Sequence, residues 1–228
     1  MTVAAIVPVL GRPASAAPLA ESLFASEFGI DLELWFVCSP GDDEEIAACR
    51  DISRAWTIIA PWPAGIRGDY ARKINLGLWL TDADFVLCGA DDLRFDLAWA
   101  DVAVATLDTE ETGFCGTNDL ANPLVMSGRH ATHPVVRRSY ALECGTIDSP
   151  GMIYHEGYWH QYVDNEATGT AMHRGCWSFA GESIVRHLHP IFDRTVKQDE
   201  TYRIGQEHTD EDRRLSRQRE PMWGGRRR

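Results

Sequence analysis

The feature that most constrains this chain is a regular alternation, through its first half, of short β-branched apolar runs with stretches of helical periodicity. Val3–Val9 reads as a strand. Ala14–Phe28 places Leu19, Leu23, Phe24 and Phe28 at helical spacing, with Pro13 at the start, where a helix tolerates it. Glu33–Cys38 (ELWFVC) is a second strand, Asp42–Ile52 a helix opened by acids, and Ala55–Ala60 a third strand. The loop PWPAGIRG leads into a helix over Asp69–Leu80, then a fourth strand over Asp84–Cys88 and a helix over Phe95–Leu107. This β-α-β-α-β-α-β order predicts an α/β fold with a mainly parallel central sheet and helices on both faces. With 228 residues, 44% of them hydrophobic, the chain suits one domain, or one domain and a small appendage.

The second half is less regular. It predicts a strand over Gly113–Thr117, and a loop over Asn118–His133 holding a short strand, Leu124–Met126. A short helix over His133–Leu142 and a loop over Thr146–Glu156 follow. Gly157–Arg174 has helical periodicity with Gly175 as its cap, and Glu182–His189 is the last strand. From about residue 198 the chain is polar and reads as a peripheral helix or tail.

Charge and cysteines narrow the classes. The formal net charge of −12 is uneven: residues 213–228 hold seven Arg and one Glu, about +6, so the body is near −18. An acidic body disfavours a broad nucleic-acid surface, while the arginine end is either a solvated tail or a contact for phosphate or an acidic partner. The six cysteines are widely spaced with no CxxC pair, as expected of reduced thiols in a cytoplasmic protein. No apolar run approaches membrane-spanning length, so no membrane partner is expected. VAAIVPVL followed by ASAA has the outline of a signal peptide. It lacks a preceding basic residue and is broken by Gly11-Arg12-Pro13, so it reads as the first strand.

Ligands of open α/β sheets bind beyond the carboxyl ends of the strands. Asp91 and Asp92 lie just past the fourth strand, Gly11-Arg12 past the first and Ser39-Pro40-Gly41 past the second. Adjacent acids repel, so the pair is either a solvated turn or a cation site of the oxygen-donor kind that Mn²⁺ or Mg²⁺ prefers. His187 and His189 share one face of a strand by its period of two, as surface histidines or as further metal ligands. Arg67, Arg72 and Lys73 gather cations in RGDYARKINLGL, a solvated basic face or a diphosphate contact; Asn75 and Gly77 in the same helix run against propensity. Asp164 and Glu166 in VDNEATGTAMHRG stand on a helix, as solvated acids or as a general base. Nearby, His155, Tyr158 and Trp159 offer faces for an acceptor or sugar platform, with a buried core aromatic as the other reading of Trp159.

Taken in order, IVPVLGRP (6–13), ARKINLGL (71–78), FVLCGADDL (85–93), VDNEATGTAMHRG (163–175) and HLHP (187–190) resemble an inverting glycosyltransferase of family 2. The resemblance implies a single Rossmann-like A-type glycosyltransferase domain over residues 1–195. Its nucleotide-binding half would be 1–110 and its acceptor half 111–195, with 196–228 a polar, Arg-rich helix or tail. It implies a nucleotide-diphosphate sugar donor meeting Pro8, Leu10, Arg12, Ser39, Arg67, Arg72, Lys73, Asn75 and Asp91. It also implies Mn²⁺ or Mg²⁺ on Asp92 with His189 or His187, and Asp164 as the catalytic base. Glu166, His155, Tyr158 and Trp159 would face an acceptor that is a protein, a modified DNA base or a glycan. GADDLRFD, GTNDL, THPVVRRSY and HEGYWHQYVDNE are similar to a narrower group of small proteins of actinobacterial phages and their hosts. The chain departs from the family at Gly11, where Asn is usual, and at Ala90, where the acidic motif usually begins. It departs again at Val163, the upstream acid of the Glu-Asp pair, and at Cys38-Ser39-Pro40, where an Asp often reads the base. Two other classes stay open: a nucleotidyltransferase, although GRPASAAP is a poor match to its Gly-rich basic signature, and a non-catalytic carbohydrate- or virion-binding module.

Overall fold

The computed structural model describes residues 1–192 and 195–224; residues 193–194 and 225–228, which include the last three arginines of the Arg-rich end, lie outside the described residues. The elements run β1 (Thr2–Pro8), α1 (Pro13–Ala25), β2 (Asp31–Cys38), α2 (Asp43–Arg50), β3 (Ala55–Ile59), α3 (Asp69–Leu80), β4 (Phe85–Cys88) and β5 (Leu93–Phe95). The second half adds α4 (Trp99–Thr109), β6 (Phe114–Asn118), α5 (Pro123–Met126), β7 (Val135–Arg137), α6 (Arg138–Glu143), α7 (Val163–His173), β8 (Trp177–His187), α8 (Glu200–Gln206) and α9 (Thr209–Trp223).

The sheet has the order β3-β2-β1-β4-β7-β6-β8-β5. β1 pairs parallel with both β2 and β4, and β2 with β3, as strands joined by helical crossovers do. Antiparallel pairing enters with β7, which joins β4 to β6, and with β5, which pairs with β8. The period of two splits each central strand between two cores. Val3, Ala5, Val7, Phe85 and Leu87 face α1, α2 and α4. Ile6, Val86 and Cys88 face α3, α6 and α7. The expected two-faced α/β architecture is therefore present.

Local departures from expectation have physical causes. Phe95 does not open a helix: it ends β5, its N–H bonds Ser22 Oγ, and α4 starts only at Trp99, after Ala98 at φ 61°. Leu124–Met126 is a helical turn rather than a strand, because Asn122 caps the Leu124 N–H and Pro123 presets the turn. Val135 and Val136 form β7 within a stretch that reads as helical, since a slot between β4 and β6 accepts them. The helix expected from Gly157 begins at Val163, and the last strand starts early, at Trp177, ending at His187 so that His189 lies beyond it.

Gly77 answers a packing need. A Cβ there would lie 2.5 Å from Ile6 Cγ2, so only glycine lets α3 lie against β1. The C-terminal helices pack on the body. Asp212 of α9 is 1% exposed and accepts the backbone N–H groups of Trp159, His160 and Gln161. Arg219 bonds both Glu166 and Asp148. No described helix is long and apolar enough to cross a membrane, and all six cysteines are free.

Candidate active site

A cavity of about 1210 Å³ opens at the carboxyl ends of β1 and β4. Three of its walls come from local sequence. The β1–α1 turn brings Pro8, Leu10 and Arg12, with Gly11 at φ +65°. α2 anchors this turn, since Asp42 accepts the Gly11 N–H and Glu45 the Arg12 N–H. The β4 end brings Ala90, Asp91 and Asp92. The first turn of α7 brings Asp164, after Tyr162 adopts φ 67°, a left-handed conformation costing about 1–2 kcal/mol for a non-glycine residue.

The two adjacent acids have separate partners. Asp91 Oδ1 accepts from Arg12 Nη1 at 2.9 Å. Burial still pushes its pKa up to about 7, against the guanidinium, with the Asp92 charge adding to the rise. Asp92 Oδ2 accepts from the Tyr202 hydroxyl at 2.8 Å and lies 3.3 Å from His187 Nε2. Burial opposes ionisation of Asp92, but His187 and Tyr202 hold its pKa well below the usual carboxylate range. His187 meets Asp92 because the β5–β8 ladder sets Leu93 opposite His187, and Leu188 N–H bonds the Asp92 carbonyl at 2.9 Å.

Several imidazoles surround this pair. The His189 ring lies 5.0 Å from that of His187, and the His133 ring 4.7 Å from it on another side. His133 Nδ1 is 2.9 Å from the Cys88 carbonyl, and burial drives its pKa down to about 3, so the ring is neutral. Burial likewise lowers His189 to about 4. Asp92 Oδ1, His187 Nδ1 and His133 Nε2 are buried with no hydrogen-bond partner. Orphaned buried donors and acceptors are costly and call for an ion, a water or a ligand group. A carboxylate with imidazoles is a donor set that suits Mn²⁺. Among the described residues no three His, Cys, Asp or Glu side chains converge as a ready-made cage, so a cation would need Asp92 or His187 to turn.

In the same cavity, Asp164 Oδ2 lies 3.1 Å from His130 Nε2. Asp164 Oδ1 accepts from the Asn165 N–H. Burial raises the Asp164 carboxyl, but His130 outweighs it and the net shift is downward; His130 is raised in turn by Asp164 against its own burial. Trp159 also lines the cavity, its ring stacked on His208 at 3.9 Å with the Arg67 guanidinium 4.8 Å away.

The remaining expected residues sit elsewhere or are committed. Lys73 is 1% exposed and gives its ammonium to Val9 O, Ser39 Oγ and Asp69 Oδ2, so the charge and Ser39 together tie α3 to the strand ends. Arg72 pairs with Glu156, and Arg67 with Glu211 and the Gly157 carbonyl; neither lines the cavity. Asn75 is a buried staple. Its amide donates to Tyr154 O and Glu156 Oε1, and its oxygen accepts from Ile153 and Tyr154 N–H. Glu166 is buried under Arg219 and the Tyr158 hydroxyl, and His155 bonds the Gly157 N–H; none of these three lines the cavity.

Sequence reasoning missed two contributions. α8 lays Asp199, Thr201 and Tyr202 across the β1 turn: Arg12 bonds both oxygens of Asp199 at 2.8 Å and stacks 3.9 Å over Tyr202. Thr201 Oγ1 donates to Leu10 O at 3.0 Å. The only signal was the Asp199 N-cap in a polar stretch. His130 and His133 were also missed; their spacing of three in the loop RHATH was the available sign.

No protein-family model matches the chain, and no curated protein matches it. Solved structures are similar to it. Staphylococcus aureus TarS in complex with UDP aligns at TM-score 0.60 and 15% identity, over 96% of this chain and 74% of that one. Glucosyl-3-phosphoglycerate synthase from Mycobacterium tuberculosis, with Mn²⁺, UDP and glucosyl-3-phosphoglycerate, aligns at 0.63 and 14%, over 98% and 80%. Mannosyltransferase PcManGT from Pyrobaculum calidifontis, with GDP-Man and Mn²⁺, aligns at 0.62 and 15%, over 81% and 56%. At such identities the likeness establishes the A-type glycosyltransferase fold.

Proposed function

We propose that this chain is a metal-dependent inverting glycosyltransferase that moves a sugar from a nucleotide-diphosphate sugar to an acceptor hydroxyl. One observation carries the reading. A single cavity at the strand ends is lined by Asp91, Asp92, His187, His189, Asp164 and His130 together. The fold neighbours support it, since they bind UDP, or GDP-Man with Mn²⁺.

Asp92 with His187 or His189 would hold Mn²⁺ or Mg²⁺, which when bound neutralises the leaving diphosphate. The chain's own residues do the rest. Pro8, Leu10 and Arg12 border the donor, and Arg12 is the one described guanidinium that lines the cavity. Its contact with Asp91 leaves it beside the proposed diphosphate. Asp164 serves the acceptor hydroxyl, which attacks the anomeric carbon on the face opposite the leaving group, so the configuration inverts. Asn122, Leu124 and Trp159 also line the cavity and would border the acceptor. A protein, a modified DNA base or a glycan would each offer the hydroxyl. A reducing cytoplasm, that of the host if a phage encodes the chain, fits the six free thiols.

A thermal-shift panel of nucleotide sugars with and without Mn²⁺ tests this. A donor at 100 times its Kd stabilises the folded state by about 2.7 kcal/mol. One nucleotide sugar should raise Tm only when Mn²⁺ is present, and turnover should release the nucleoside diphosphate. Release of pyrophosphate would assign a nucleotidyltransferase instead.

A further inference from the structure

Asp164 is placed where a carboxylate loses basicity. It sits in the first turn of α7, at the positive end of the helix dipole. Oδ1 accepts the Asn165 N–H, and Oδ2 is 3.1 Å from His130 Nε2. A carboxylate stabilised three ways is a weak acceptor for a hydroxyl proton, because proton-transfer efficiency follows the base's pKa.

His130 has the opposite character. The residue is 7% exposed and lines the cavity. Nε2 is engaged by Asp164, while Nδ1 has no protein partner among the described residues. Nδ1 is not among the buried atoms that lack partners, so it is open to solvent on a residue that lines the cavity. The loop is held against α7 by Thr168, whose hydroxyl lies 3.3 Å from Ala131 N and 3.4 Å from Ala131 O. The charged groups facing His130 are Asp164 on α7 and Asp119 on the loop after β6, both acidic.

From this geometry we infer that the proton acceptor of the proposed transfer is a His130–Asp164 pair, with His130 Nδ1 taking the proton and Asp164 orienting the ring. The inference rests on the glycosyltransferase reading. A carboxylate on Nε2–H keeps that proton in place and leaves the lone pair on Nδ1. In the step, the acceptor O–H bond breaks and its proton passes to Nδ1. The oxygen's electron pair forms the bond to the anomeric carbon. The bond from that carbon to the diphosphate oxygen breaks, and its pair leaves on the nucleoside diphosphate. The imidazolium, balanced by Asp164 and Asp119, returns the proton to solvent.

The test uses the full chain. NMR titration of the histidine rings, assigned with His130→Gln, should place the His130 midpoint above that of a free histidine. Asp164→Asn should return it downward. Release of nucleoside diphosphate from UDP-glucose or GDP-mannose with Mn²⁺, with water as the acceptor, reads the chemical step. His130→Ala should lower kcat by about 10²–10⁴-fold. KM and the donor-induced Tm shift should stay unchanged, and added imidazole should restore part of the rate. Turnover that survives His130→Ala, or that imidazole does not restore, overturns the proton role alone. No turnover by the wild-type chain with any nucleotide sugar of the thermal-shift panel overturns the transfer reading, and the proton role with it.

Discussion

Tyr202 donates its hydroxyl hydrogen to Asp92 Oδ2 across 2.8 Å, joining α8 to the end of β4. The same hydroxyl lies 3.2 Å from Leu188 O, at the end of β8. A residue far along the chain thus occupies one oxygen of the acid proposed to bind the cation, while the other oxygen is buried without a partner.

Removing that hydroxyl should free the acid. Tyr202→Phe forfeits a hydrogen bond to a charged group, about 1.5–3 kcal/mol in the cation-free protein. Mn²⁺ no longer competes with it, so the apparent Kd should fall by about tenfold or more. Calorimetric titration of both proteins with Mn²⁺ measures the change. An unaltered Kd would mean that Tyr202 and the cation do not share Asp92.

Arg12 and Asp91 form a pair whose side chains are only 11% and 8% exposed. Arg12→Ala leaves a carboxylate buried without its cation, and urea denaturation should show a loss of about 3–5 kcal/mol. Asp199→Asn, at a partner 45% exposed, should cost under about 1 kcal/mol. Similar losses from the two would contradict the assigned burial.

Asn75 satisfies two backbone N–H groups and one backbone carbonyl of the 153–156 loop. Asn75→Ala orphans all three, and a loss of about 2–4 kcal/mol is expected in urea unfolding. Donor-induced Tm shifts should survive in this variant, because the amide faces the loop and not the cavity.

The His130–Asp164 contact makes stability depend on pH in a defined direction. The folded pKa of His130 is raised, so its contribution is full below about pH 6.5 and fades as pH rises through the folded value. The folded pKa of Asp164 is depressed, so its contribution is present above about pH 3.9 and lost as pH falls through the folded value. The stability gap between wild type and His130→Ala should therefore be widest between about pH 4 and 6.5, and smaller at pH 8.5. Urea unfolding across that range measures it; a gap that grows above pH 7 would reverse the assignment.

Asp212 accepts three consecutive backbone N–H groups from the turn before α7. Asp212→Ala should release α9 and this turn together. A loss of about 2–4 kcal/mol and a changed environment for Trp159 and Trp223, read by fluorescence, are the expected results.

The parallel half of the fold and the position of the two adjacent acids were legible in local sequence pattern. Val86 and Cys88 alternate with Phe85 and Leu87 because strand period two assigns each residue a face, and that pattern is local. The end of β4, and so the place of Asp91 and Asp92, follows from it. Asp164 was legible as an acid on a helix, although the helix starts later than its periodicity suggests. The partners of these residues come from how distant elements pack. Leu93 meets His187 because β5 pairs with β8, and His130 meets Asp164 because α7 packs beneath the loop after α5. Tyr202 meets Asp92 across 110 residues because α8 crosses the β1 turn. Asn75 and Lys73, polar residues in a helix, became internal staples, since the groups they satisfy come from distant loops. Periodicity reports which face of an element is buried; which charge waits on the other side depends on how separate elements close over one another, and no local pattern encodes that.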